Sequence, residues 1–155
     1  MSEAESFKKL FTIEEANATL PLVRAIATDL ATLSREVIDR RERLAALHNS
    51  RRPSKSHDAY SEELAQIEDE LTKDAERLHE YVEELRALGV EPKNGPEGLI
   101  DFPCQMDGRV VYLCWKLGEP EVLHWHELDA GYPGRQSLYA ESVSGDGAAS
   151  DEHSS

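Results

Sequence analysis

Two cysteines in 155 residues, Cys104 and Cys114, are too few for a disulfide framework, and a chain this long builds a core without one. Reduced thiols are the expectation. No apolar run approaches the roughly 18 residues of a membrane span. The stretch from Met1 to Lys9 has neither a secretory apolar core nor an Arg-rich amphipathic pattern. The expected location is therefore the cytoplasm, with no membrane partner. Positive charge is scarce as well: 17 Lys and Arg stand against 31 Asp and Glu, a formal net charge of −14. Attachment to phosphate backbones or anionic lipid needs clustered cations, so nucleic acid is not the expected partner. No CxxC pair, HExxH helix, Ser-His-Asp order or dinucleotide fingerprint is present, which removes the commonest signatures of catalysis.

What the chain does have is a long paired heptad. Apolar residues recur at alternating spacings of three and four, at Val23, Ile26, Leu30, Leu33, Val37, Leu44 and Leu47. The pattern returns at Leu64, Ile67, Leu71, Leu78, Tyr81, Leu85 and Leu88. This is the seam of a coiled coil, and the short interruption folds one arm back on the other as an antiparallel hairpin, with helices expected over 20–48 and 59–88. Facing positions of such a hairpin share a constant index sum. Leu47 with Leu64, Leu44 with Ile67, Leu33 with Leu78, Leu30 with Tyr81, Ile26 with Leu85 and Val23 with Leu88 all satisfy one register. Two seam slots are polar, and Arg40 and Asp74 are placed to meet diagonally, fixing register at some cost in stability.

Charge supports the same pairing. From Leu20 to His57 eight cations oppose four anions, whereas from Asp58 to Leu88 eleven anions oppose three cations. The turn between them, with Arg51, Arg52 and Lys55, is a basic tip. Upstream, Thr12 and Glu15 have capping-box spacing, which predicts a short helix over 12–18. Pro21 suits a first turn and not a helix interior, so a fresh start is expected near Leu20. Gly89 is positioned as the left-handed residue that ends the second arm.

Beyond Gly89 the period changes from helical to alternating. Glu91 to Gly98, with two Pro and two Gly, reads as a linker. Leu99–Gln105 and Arg109–Trp115 flank Asp107-Gly108, a dipeptide suited to a type I′ hairpin, and Val122–Glu127 follows the turn signal Gly118-Glu119-Pro120. The prediction is a three-stranded antiparallel meander over 99–127. Its apolar face carries Ile100, Phe102, Cys104, Val111, Leu113 and Trp115. An odd-length connection would pair Cys114 with His124 and Tyr112 with His126, aligning Asp101, Cys114 and His124 in one row. Imidazole, thiolate and carboxylate are transition-metal ligands, so His124, His126, Glu127, Asp101 and Cys114 are the candidate metal or ligand residues. Arg135, in the Gly-rich loop 128–138, is a candidate anion site or loop anchor, with Glu127 or Asp129 as the expected internal partner.

F-T-I-E-E-A-N-A-T-L-P at Phe11–Pro21 resembles, together with C-W-K-L-G-E-P and H-W-H-E-L-D-A-G-Y-P-G-R between Cys114 and Arg135, an uncharacterised bacterial family known only as a domain of unknown function. The resemblance covers about Phe11 to Leu138. It implies a small cytoplasmic prokaryotic protein and brings no activity or catalytic residue with it.

These readings converge on an α+β fold. A single domain over 7–138 would hold the short helix, the hairpin, the meander and the signature loop, followed by a disordered acidic tail over 141–155. The leading functional expectation is a non-enzymatic interaction or regulatory module that associates with itself or a protein partner through its helices. One alternative is a small metal-binding protein or enzyme using the H-x-H-E strand with an unidentified transition metal. Another is RNA binding through the basic tip.

Overall fold

The computed structural model describes residues 6–50 and 57–139. Two long helices, α1 (Ile13–Ser50) and α2 (His57–Ala87), precede β1 (Glu91–Asn94), β2 (Leu99–Met106), β3 (Arg109–Lys116), β4 (His124–Glu127) and β5 (Gln136–Ser137). The strands form one antiparallel sheet in sequential order. The class is α+β, as expected. Arg51, Arg52 and Lys55 of the basic tip, and the tail 141–155, lie outside the described residues.

Local chemistry accounts for the ends of the helices. The Thr12 N–H donates to Glu15 Oε1 and the Glu15 N–H to Thr12 Oγ1, both at 3.0 Å, completing the capping box. At the far end Gly89 has φ 97°; its N–H donates to the Arg86 carbonyl, and that of Val90 donates to the Leu85 carbonyl. This Schellman arrangement satisfies two carbonyls that α2 leaves free.

The expected break at Pro21 is absent, and α1 runs through it for 38 residues, about 57 Å. Ala16, Leu20, Val23, Ala27 and Leu30 form one buried stripe against the sheet, spanning both sides of the proline. Burying that stripe outweighs the missing bond to the Asn17 carbonyl. Pro21 itself is exposed.

The meander contains five strands instead of three. Linker residues 91–94 form an edge strand with Pro92 inside it, where a missing donor is tolerated. Gln136–Ser137 of the signature loop adds the opposite edge. Asp107 and Gly108 both have positive φ, as a type I′ turn requires. Cys114 pairs with His124 and Tyr112 with His126, the register expected from an odd-length connection.

One face of the sheet, with Ile100, Phe102, Cys104, Val111, Leu113, Trp115 and Trp125, packs on the helices. Phe11 meets Phe102 edge to face at 5.3 Å. Farther out the helices meet each other. Arg40 contacts Glu70 at 3.4 Å and bonds Asp74; Arg43 bonds Glu63, and the Tyr60 hydroxyl donates to the Leu47 carbonyl. These partners descend α2 as α1 ascends, which is antiparallel pairing.

Candidate functional site

The face of the sheet turned away from the helices carries two polar clusters. The deeper one is built on β2, β3 and β4. Asp101 and Cys114 are neighbours across β2 and β3, while His126 sits one strand farther, opposite Tyr112. All three are at most 1% exposed. His126 Nε2 lies 3.1 Å from each Asp101 carboxylate oxygen, and Nδ1 lies 2.7 Å from the Glu127 carbonyl oxygen. A carbonyl only accepts, so Nδ1 carries a proton. The imidazole and carboxylate then share one further proton between Nε2 and Asp101.

Lys93 closes this cluster from β1, with Nζ 3.4 Å from Asp101 Oδ2 and 4.4 Å from the Tyr112 ring centroid. Burial pushes the Asp101 carboxyl above its ordinary 3.8, although the charges of His126 and Lys93 pull it down. The Cys114 thiol is pushed up to about 12, first by burial and then by the Asp101 charge. It is a protonated thiol at neutral pH. Cys114, His126 and Asp101 therefore do not form a nucleophilic triad: the orienting carboxylate occupies the nitrogen that a thiol would need, and the thiolate is suppressed.

The second cluster joins β3, β4 and the loop after them. Arg135 Nη2 donates to Glu119 Oε1 and His124 Nδ1, each at 2.8 Å, and lies 3.4 Å from the Cys114 carbonyl. Its guanidinium stacks on Tyr132 at 4.7 Å. The expected partners Glu127 and Asp129 are replaced by Glu119, because the turn after β3 brings that carboxylate back over the strand end. There it also accepts the Lys116 N–H at 2.9 Å. Glu127 instead faces outward and bonds Arg109.

The two candidate histidines thus part company. Strand register aligns His124 with Cys114 and Asp101, yet the side chain that reaches Asp101 is the diagonal one, His126. Sheet twist favours one diagonal over a straight row, and Arg135 claims His124. Lys93 was missed by sequence reasoning because its segment reads as a linker. An edge strand only four residues long carries no alternation strong enough to reveal it.

An arginine only donates, so His124 Nδ1 is an acceptor and the ring is neutral. Burial, followed by the Arg135 charge, holds His124 below its ordinary 6.5. Burial alone would raise Glu119, but the Arg135 and Lys116 hydrogen bonds hold it below 4.5. Both groups bind protons more weakly in the fold than when unfolded. Their contributions are present above 6.5 and 4.5 respectively, and each is lost as pH falls through the folded value. Asp101 has the opposite sign, its raised value favouring the fold on acidification. Thermal melts against pH should show stability falling below pH 6.5, and His124→Gln, which keeps an acceptor for Arg135, should flatten that limb. An unchanged slope in the variant would remove His124 from the account.

Both signature motifs serve as structural joints. Asn17 Oδ1 accepts the Val122 N–H at 2.7 Å, and Arg24 Nη2 donates to the Pro120 carbonyl at 3.2 Å. Trp115 Nε1 donates to the Glu119 carbonyl at 3.0 Å. The start of α1 is thereby tied to the turn that precedes β4.

Fold and site together define an α+β protein in which a helical hairpin seals one face of a five-stranded antiparallel sheet and a buried Asp-Cys-His cluster occupies the other. Residues 9–138 match the family described as Uncharacterized conserved protein (DUF2203), and the chain belongs to it. No curated protein and no solved structure matches the chain. Among the described residues no helix is long and apolar enough to cross a membrane.

Proposed function

We propose that the protein is a non-enzymatic interaction module whose projecting helical hairpin pairs with a second copy of the same chain. The observation that carries this reading is where the core stops. The helical residues packed into it end at Leu30 on α1 and begin at Leu78 on α2. Beyond those points, apart from Ser34 against Gly95 of the β1–β2 turn, α1 and α2 cover each other along one stripe. Val37 and Ile67 are buried there, but Leu44, Leu47, Leu64 and Leu71 remain partly open, and Ile38 is 42% exposed. A two-helix rod gains little from propensity alone, and further helix packing is the usual source of its stability.

Charge selects the occupant. From Leu20 through the turn to His57 the chain carries a net positive charge and the second arm a net negative one, so a two-fold pairing sets the first arm and turn of one copy against α2 of the other. Such pairing makes a four-helix bundle and covers the open seam.

Sedimentation equilibrium tests the proposal. The expected mass is twice 17.4 kDa. Ile38→Glu, at a position outside the monomer core, should return the mass to a single chain with unchanged helical circular dichroism. A single-chain mass for the parent protein at every concentration, or a dimer indifferent to Ile38→Glu, would overturn it.

A further inference from the structure

We infer that Asp101, Cys114 and His126 form a binding site for one divalent transition-metal ion of the zinc class, held through a carboxylate oxygen, Sγ and Nε2. The site lies on the sheet, away from the hairpin seam, and stands independently of self-association.

One ligand atom from each residue lies within 4.8 Å of the other two, and all three residues are buried. Zinc bonds of about 2.0–2.3 Å set ligand atoms roughly 3.3–3.8 Å apart, so a closure of about 1 Å brings the three into coordination. The donor set is one imidazole, one sulfur and one oxygen. That mixture suits zinc and its borderline-soft neighbours and disfavours calcium and magnesium, which take oxygen ligands.

The imidazole already has the orientation of a metal ligand. Its Nδ1–H donates to the Glu127 carbonyl, which holds the ring with Nε2 directed at Asp101. A backbone carbonyl behind a ligating histidine fixes the tautomer that leaves Nε2 free to coordinate.

Proton accounting favours the exchange. Without metal the cluster holds two dissociable protons, one on the Cys114 thiol and one shared by His126 and Asp101. Binding one divalent cation releases both to solvent while Sγ, Nε2 and the carboxylate form bonds to the metal. Two positive charges leave and two arrive. The net charge of the three ligands with the ion equals that of the three residues without it, which lowers the electrostatic objection to placing a cation there. The high thiol pKa does not prevent this, because a coordinating thiol is deprotonated by the metal. It makes affinity depend steeply on pH.

Lys93 is the gate and the competitor. Its ammonium lies beside Asp101 Oδ2, but the side chain is 38% exposed and rests on Tyr112 at the rim, so it can swing into solvent. Three protein ligands leave the fourth tetrahedral position open on an incoming zinc ion.

Cobalt(II) titrated into the full chain, purified without a histidine tag, is the test. A near-ultraviolet thiolate-to-cobalt charge-transfer band should rise to one metal per chain and be displaced by zinc, with two protons released per ion. Cys104→Ser, on the opposite face, should keep the band and Cys114→Ser should lose it. Lys93→Ala, which removes the ammonium beside Asp101 Oδ2, should bind about tenfold more tightly once the competing charge is gone. No band, a band that survives Cys114→Ser, or an affinity unchanged in Lys93→Ala would each overturn the site.

Discussion

Asp101→Ala is expected to lower the stability of the fold by about 3 kcal/mol, or roughly 6–12 °C in melting temperature for a chain of this size. The wild-type carboxylate is almost fully enclosed and faces His126 Nε2 and Lys93 Nζ. Truncation leaves the imidazole in a sealed site with no acceptor for its proton, and it removes the partner of the Cys114 thiol. One relaxation limits the loss: Lys93 can turn to solvent from its partly exposed position. That places the estimate at the lower end of the range for breaking a buried ion pair.

The pair is separable from its burial by replacing both members. Asp101→Leu combined with His126→Leu removes a donor and an acceptor together, so the double variant should cost less than the sum of the singles by about 1–3 kcal/mol. Chemical denaturation of the four proteins measures this coupling. If Asp101→Ala unfolds within about 1 kcal/mol of the parent, or if the two substitutions add, the cluster does not hold the outer sheet face together.

Pro21→Ala is expected to act in the opposite direction, stabilising the protein by about 2 kcal/mol. A proline inside a helix costs about 3 kcal/mol relative to alanine, part of which is offset because it also restricts the unfolded chain. Pro21 lies eight residues into α1, is exposed and makes none of the core contacts of Leu20 or Val23. Alanine supplies an N–H to the Asn17 carbonyl and removes no buried surface. Calorimetry should show a higher melting temperature, with helical circular dichroism no lower than that of the parent. A lower melting temperature would mean that the proline ring is needed to seat Ala16 and Leu20 against the sheet.

Pro21 also marks one limit of what local sequence reveals. The break predicted there followed correctly from backbone chemistry, but a buried stripe running through both sides of the proline contributes more than the break would save. The same weighting hid β1. Glu91 to Gly98 is rich in turn formers, and only pairing with β2 makes 91–94 a strand.

The caps, the hairpin and the register of β2 on β3 were legible because each depends on spacing within a few residues or on strict periodicity. Thr12 with Glu15, Gly89, Asp107-Gly108 and the heptads are all of this kind, whereas His124 opposite Cys114 hung on the parity of the connection after β3, which the structure decides. Arg40 and Asp74 meet across the hairpin by the same arithmetic.

What tertiary structure alone decided is which polar groups touch. Parity puts Asp101, Cys114, His124 and His126 on one face, but sheet twist and the claim of Arg135 on His124 leave His126 to Asp101. Arg135 finds Glu119 instead of Glu127 or Asp129 because the turn after β3 folds back over the strand, and Lys93 arrives from an edge strand that no local pattern announces. The sequence by itself determined the helices, their antiparallel pairing and the two faces of the central strands. Selecting one carboxylate-imidazole diagonal beside a buried thiol required the twist of the assembled sheet, since distances of 3 Å between side chains from separate strands depend on packing, which periodicity does not encode.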